Sequence, residues 1–176
     1  MKASEPIRII WMTEAWIRLE SNDYELVAAR SAEEFVQAKN EDFILAEACN
    51  SLFLAISRSH LDQKFDHGRF VRAIELLRRA GQLDELARGL VRRAELCPDQ
   101  RLAEADLKES LQLCAQAEMC VIEVEARLAA ARLSLRRTNL EDARAHLNRA
   151  DQLIGTTGYE LRVEAARDLR TRLWAS

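Results

Sequence analysis

Apolar residues recur along this chain at intervals of three and four, with charged residues between them. Ala143, Leu147 and Ala150 make the clearest comb, Ala73, Leu77 and Ala80 repeat it, and Leu107, Leu111 and Cys114 give an altered copy. Such spacings put side chains on one face of an α-helix. The first residues of the three combs lie 34 and 36 apart, the period of a helical hairpin that stacks on copies of itself. No window alternates at period two for long enough to make a sheet, so the pattern predicts an all-α fold.

The same pattern marks the elements. Arg8–Ser21 carries Ile10, Trp11, Ala15 and Leu19 as a helical stripe, and Asn22-Asp23-Tyr24 makes a turn with Asp23 placed to cap the next helix. That helix runs to about Ala38, and a long one follows through Ala46, Cys49, Leu52, Phe53 and Ile56. Leu61–His67 interrupts the apolar pattern and reads as an enlarged loop. A helix opening at Gly68-Arg69-Phe70 ends at Gly81, a C-cap glycine. Helices are expected over Leu83–Leu96, Leu102 to about Met119, Val121–Arg137 and Leu140–Ile154, with a break at Pro98-Asp99. Gly155-Thr156-Thr157-Gly158 is a turn, and a last helix, Tyr159–Trp174, puts Leu161, Ala165, Leu169 and Leu173 on one face. The expectation is a single domain over 1–176, with hairpins at about 8–41, 42–82, 83–120 and 121–157 and a closing helix at 159–174. Each hairpin is apolar on two sides, so neighbours must stack and the last needs a lid.

Composition agrees with helix. Glycine (5) and proline (2) are scarce, which leaves few breakers for a chain of 176 residues. The net charge of −3 argues against non-specific nucleic-acid binding. Its distribution is banded: residues 1–60 hold 6 basic and 10 acidic side chains, 61–93 hold 8 and 5, 94–125 hold 2 and 8, and 126–176 hold 10 and 6. Such bands set register with a partner or are solvated helix faces with i, i+4 pairs. The four cysteines show no C-x-x-C spacing, and Cys49 and Cys114 fall where small core residues are wanted. Reduced thiols, the lack of a signal-peptide pattern and the lack of an 18-residue apolar run predict a soluble cytoplasmic protein with no membrane contact.

These residues reach a family. The chain resembles tetratricopeptide repeats, in which small residues recur at fixed places and a Gly-Asp-aromatic turn precedes the second helix. Ala131, Ala143 and Ala150 with Thr138-Asn139-Leu140 carry the likeness in the last hairpin, and Gly68-Arg69-Phe70, Ala73 and Ala80 in the second. Trp11, Ala15 and Asn22-Asp23-Tyr24 carry it in the first, where Val27 and Glu34 depart from the comb; Ala94, Leu107 and Cys114 give a looser third. From Leu86 to Tyr159 the repeats also look like those at the C-terminal end of bacterial signal-transduction ATPases with numerous domains. There they sense a ligand or partner and restrain the ATPase, while this chain has no G-x-x-x-x-G-K-[ST]. The resemblance implies a right-handed superhelix whose first helices line a concave groove.

Carried across, the family's groove positions are Ile9, Met12, Trp16 and Leu19, then Phe43, Asn50 and Phe53, then Arg88, Val91 and Glu95, then Glu125, Leu128, Arg132 and Arg136. An apolar, aromatic end grades into a charged one, and Trp and Arg are the usual anchors of interfaces. The expectation is a non-catalytic scaffold or sensor that binds a peptide or helix, with an apolar anchor at Trp16 and an acidic group at Arg132 and Arg136. The plainer alternative packs Trp16 against the second hairpin and pairs the arginines with Glu125 and Asp142. The family's carboxylate clamp is not expected, since Met12 and Trp16 stand where a basic residue and an asparagine belong. The first helix is apolar on more than one face (Ile7, Ile9, Ile10, Trp11, Trp16, Ile17, Leu19), which predicts a covering neighbour such as a second copy. An Arg-rich RNA-binding array is the competing reading, with 22 Arg against 4 Lys, opposed by the acidic balance. No cofactor is expected: His60, Asp62, Asp66 and His67 match no metal-ligand spacing, and His146 has no triad partner beside it in sequence.

Overall fold

The structure, a computed structural model, describes residues 5–175, with side chains from Ile9 onward. Among these residues there are helices and turns and no strand. Helix α1 spans Glu5–Glu20, α2 Tyr24–Asn40, α3 Ile44–Leu61, α4 His67–Ala80 and α5 Leu83–Leu96. Then come α6 (Gln100–Gln116), α7 (Cys120–Arg136), α8 (Leu140–Thr157) and α9 (Val163–Trp174), the last entered through a 3-10 turn at Glu160–Arg162. Helices adjacent in sequence pack in pairs, as connections of a few residues require.

One turn recurs. At Asn22, Asp42, Glu118 and Thr138 the backbone is left-handed, with φ of 54 to 60°. In each case the next N–H reaches back over six residues to a helix carbonyl: Asp23 to Arg18, Phe43 to Ala38, Met119 to Cys114 and Asn139 to Ser134, at 2.9 to 3.0 Å. This closes the preceding helix, and the donor residue occupies the N-cap position of the next. Only one of the four caps with its side chain: Asn139 Oδ1 accepts from the Asp142 N–H. Asp23 does not act as the expected side-chain cap, because its carboxylate is taken by Arg18 at 2.7 Å. Elsewhere Asp66 and Asp99 cap α4 and α6. Gly81 and Gly158 close α4 and α8 in the same left-handed conformation, which glycine adopts without steric cost.

Contacts divide the chain into two compact units, Met1–Glu85 and Leu86–Ser176, with the division in the first turn of α5. In the first unit α3 is central, burying Ala46, Cys49, Leu52, Phe53 and Ile56. Trp11, Ala15 and Leu19 of α1, Val27 and Ala28 of α2, and Phe70, Ile74 and Leu77 of α4 are buried with them. In the second unit α7 has two buried faces. Val124, Leu128 and Ala131 belong to a core with Ala143, Leu147, Ala150, Leu169 and Leu173. Ala126, Ala129, Ala130 and Leu133 belong to another with Val91, Ala94, Ala103 and Leu107. Small residues on α7 let helices close in from two sides, and Leu147 fills the gap, so Leu147→Ala should cost about 3 kcal/mol.

Two boundaries differ from expectation. The loop between α3 and α4 is shorter than Leu61–His67, since α3 continues to Leu61 and α4 begins at His67. The last helix does not present Leu161 to the core. That residue lies in the 3-10 turn and is 65% exposed, while Ala166, Leu169 and Leu173 are buried. Three residues per turn in place of 3.6 rotate the entry and reset the register.

Candidate functional site

The second unit carries a row of alternating charges across α5, α7 and the 3-10 turn. Arg132 Nη1 donates to Glu95 Oε1 at 2.8 Å, and Arg92 Nη1 donates to Glu95 Oε2 at 2.9 Å. Arg92 also approaches Glu125 at 3.8 Å. Glu125 Oε1 accepts from Tyr159 Oη at 2.8 Å and from Arg162 at 3.0 Å. Helical spacing makes the row: Arg92 and Glu95 are three apart on α5, and Glu125 and Arg132 are seven apart on α7. The inner members are partly shielded from water, Glu125 at 13% and Arg162 at 16%, whereas Arg132 at the open end is 39% exposed. One turn beyond it, Arg136 is exposed and has no ion-pair partner among the described residues. In the row Arg92, Arg132 and Arg162 face Glu95 and Glu125, and Arg132, with Arg136 one turn beyond it, is the more exposed end.

Three of the expected site residues, Glu95, Glu125 and Arg132, therefore meet in one network, and half-buried Arg88 sits one turn before Arg92 on α5. Val91 and Leu128, offered to the same groove, are instead core residues. Arg132 pairs with Glu95 and not with Glu125. The sequence reading missed Arg92, Tyr159 and Arg162. Only Arg92 had a signal, lying four residues after Arg88 and three before Glu95.

The expected aromatic end is placed differently. Met12 and Trp16 are 7% and 8% exposed, and Asn50 and Phe53 are buried in the first unit. Trp16 meets Phe53 edge-on at 5.2 Å, and its Nε1 donates to Glu85 at 2.9 Å. Asn50 Oδ1 accepts from Trp11 Nε1 at 2.9 Å, while its Nδ2 donates to the Ala46 carbonyl. Arg30 stacks over the Trp11 ring at 4.2 Å. The Trp11, Trp16, Asn50 and Phe53 side chains tie α1 to α3 and present almost no surface, because a large apolar ring gains more from burial than from exposure. On α1 the exposed apolar residues are instead Ile9, Ile10 and Ile17; the Ile7 side chain lies outside the described residues.

Cys49, Cys114, His60 and Asp66 have structural surroundings. Cys49 and Cys114 are buried, and burial pushes the Cys114 thiol up to about 11 and Cys49 well above its ordinary value. Both stay protonated near neutral pH, which removes their nucleophilicity. His60 stacks on Tyr24 at 4.2 Å, and Asp66 is occupied with the N–H and guanidinium of Arg69.

In fold and in this charged face the chain is an all-α protein of paired helices. No protein-family model, curated protein or solved structure matches it. Among the described residues no helix is long and apolar enough to cross a membrane.

Proposed function

We propose that this protein is a non-catalytic binding module: a right-handed superhelix of tetratricopeptide-type hairpins, working in the cytoplasm, that holds an acidic segment of a partner protein against α5 and α7. The observation that carries the reading is the Arg132–Arg136 end of the charged row, where cationic side chains are exposed and outnumber their carboxylates. Glu95 and Arg92 hold Arg132 in place, so a partner carboxylate meets a guanidinium already oriented. The apolar anchor at Trp16 is not part of this reading, since that ring is committed to the core of the first unit.

A random-peptide display selection on the folded protein tests it. Enrichment of Asp- and Glu-containing peptides is expected, with affinity that falls as salt rises. Arg132→Glu/Arg136→Glu should weaken the selected peptide by at least roughly tenfold, the loss of one charge-assisted hydrogen bond. Enrichment without acidic residues, or binding indifferent to that double substitution, contradicts the reading. Salt-sensitive capture of RNA through the same arginines would replace it with the nucleic-acid reading.

A further inference from the structure

On the opposite side of α7 a trough of about 540 Å³ runs between α6 and α8. Its size falls in the range of small-molecule sites, about 300–1,000 Å³. Leu107, Leu111, Ala130 and Leu133 make an apolar floor, and α7 with its C-cap borders it from Arg127 to Arg137, a length of about 15 Å at helical rise. The two ends differ. At one, Arg137 bridges to Glu104 on α6 at 2.6 Å, with Asn139 and Asp142 bonded to each other beside it. At the other, Arg127 and His146 meet at 3.3 Å.

The second end has the chemistry of an anion site. Arg127 is held from behind by Glu123, which accepts from its Nε and Nη2 at 3.2 and 3.1 Å and also from Arg149. Arg127 can only donate, so His146 Nδ1 accepts and the ring proton lies on Nε2. Burial and Arg127 hold this histidine below its ordinary range, keeping the ring neutral, while Asp142 opposes them weakly. Among the described residues His146 Nε2 has no hydrogen-bond partner. The trough lining as a whole sets three cations, Lys108, Arg127 and Arg137, against two carboxylates, Glu104 and Asp142, in a chain of net charge −3.

We propose that this trough binds a small amphipathic carboxylate, its head group on the guanidinium of Arg127, which Glu123 and His146 orient, and its apolar body over Leu107, Leu111, Ala130 and Leu133. An aligned guanidinium suits a carboxylate, and an apolar floor disfavours a fully polar anion. The site lies wholly on α6–α8 and is separate from the charged row of α5 and α7.

Decanoate is the probe and 1-decanol its uncharged control, titrated into the 15N-labelled full chain with calorimetry alongside. The expected result is saturable 1:1 binding of decanoate, amide shifts confined to α6–α8, and decanol weaker by roughly tenfold or more. Arg127→Gln should weaken decanoate by roughly tenfold without affecting decanol. Gln112→Glu, at an exposed rim position that the fold does not use, should weaken decanoate several-fold through like-charge repulsion even if Arg127→Gln loosens the fold. Absence of saturable binding at millimolar decanoate, shifts elsewhere in the chain, equal binding of decanol, or indifference to Gln112→Glu and Arg127→Gln would overturn the proposal.

Discussion

Arg93 and Asp106 form a two-pronged ion pair at 2.7 and 2.6 Å in the interior of the second unit, their side chains 8% and 3% exposed. Each stands where its helix otherwise buries apolar residues, Arg93 between Leu90 and Ala94, Asp106 between Ala103 and Leu107. Burying two charges costs several kcal/mol, which their attraction roughly offsets, so removing one partner is far worse than removing both. Asp106→Ala should lower unfolding free energy by about 3–5 kcal/mol, while Arg93→Met/Asp106→Leu should stay close to wild type. Denaturant unfolding of the three proteins checks this; a double variant as unstable as the single one would contradict it. His146 supplies a pH signature. Its folded pKa is depressed, chiefly by burial and then by Arg127, so the unfolded chain binds more protons below the ordinary histidine value of about 6.5. Its contribution is full above that pH and is lost as pH falls towards the folded pKa. His146→Gln should therefore cost less at pH 5.5 than at pH 7.5 in urea denaturation; an equal cost at both would count against the assigned environment. At this scale the sequence was partly legible. Arg132 and Glu95, offered by the family resemblance, are found together in the charged row, whereas Trp16 and Asn50 could not be separated from core, since an indole or amide suits either place and only the partner across the helix decides.

Helices were legible because propensity, comb spacing and scarce breakers agree over fourteen or more residues in α2 to α8. Turns were less so. The left-handed residue at Asn22, Asp42, Glu118 and Thr138 is not glycine at any of the four, so no compositional flag marks the recurring motif. The comb intervals of 34 and 36 do not match the intervals between helix starts. α4, α6 and α8 begin at His67, Gln100 and Leu140, which are unequal intervals, and the combs lie at different depths within them. At Leu161 the pattern failed because a 3-10 turn changes the residues per turn without changing the apolar spelling. Thr138 offers a direct test of the turn. A β-branched residue at φ of 55° is strained, so Thr138→Gly should stabilise the protein by about 0.5–1 kcal/mol after the added freedom of the unfolded chain. A thermal melt checks the sign, and destabilisation would mean that the turn is not left-handed there.

For the whole molecule, the all-helical architecture and the pairing of neighbouring helices followed from the sequence. The division into two compact units was not legible, because composition does not change across Glu85–Leu86. The isoleucines of α1 bear on assembly. Ile10 and Ile17 lie two turns apart and are 65% and 62% exposed, the spacing of a packing stripe. Covering that stripe by a second copy predicts a dimer in sedimentation equilibrium that Ile10→Lys/Ile17→Lys converts to monomer; a wild-type monomer at high concentration contradicts it.

Binding through the arginine end of the charged row is most directly tested by a charge swap. The peptide enriched by wild type, and a counterpart with each acidic residue replaced by lysine, would be titrated against wild type and Arg132→Glu/Arg136→Glu protein at low salt. The account predicts that wild type prefers the acidic peptide and the double variant prefers the lysine peptide. Unchanged preference in a folded double variant would mean that α5 and α7 do not hold the partner.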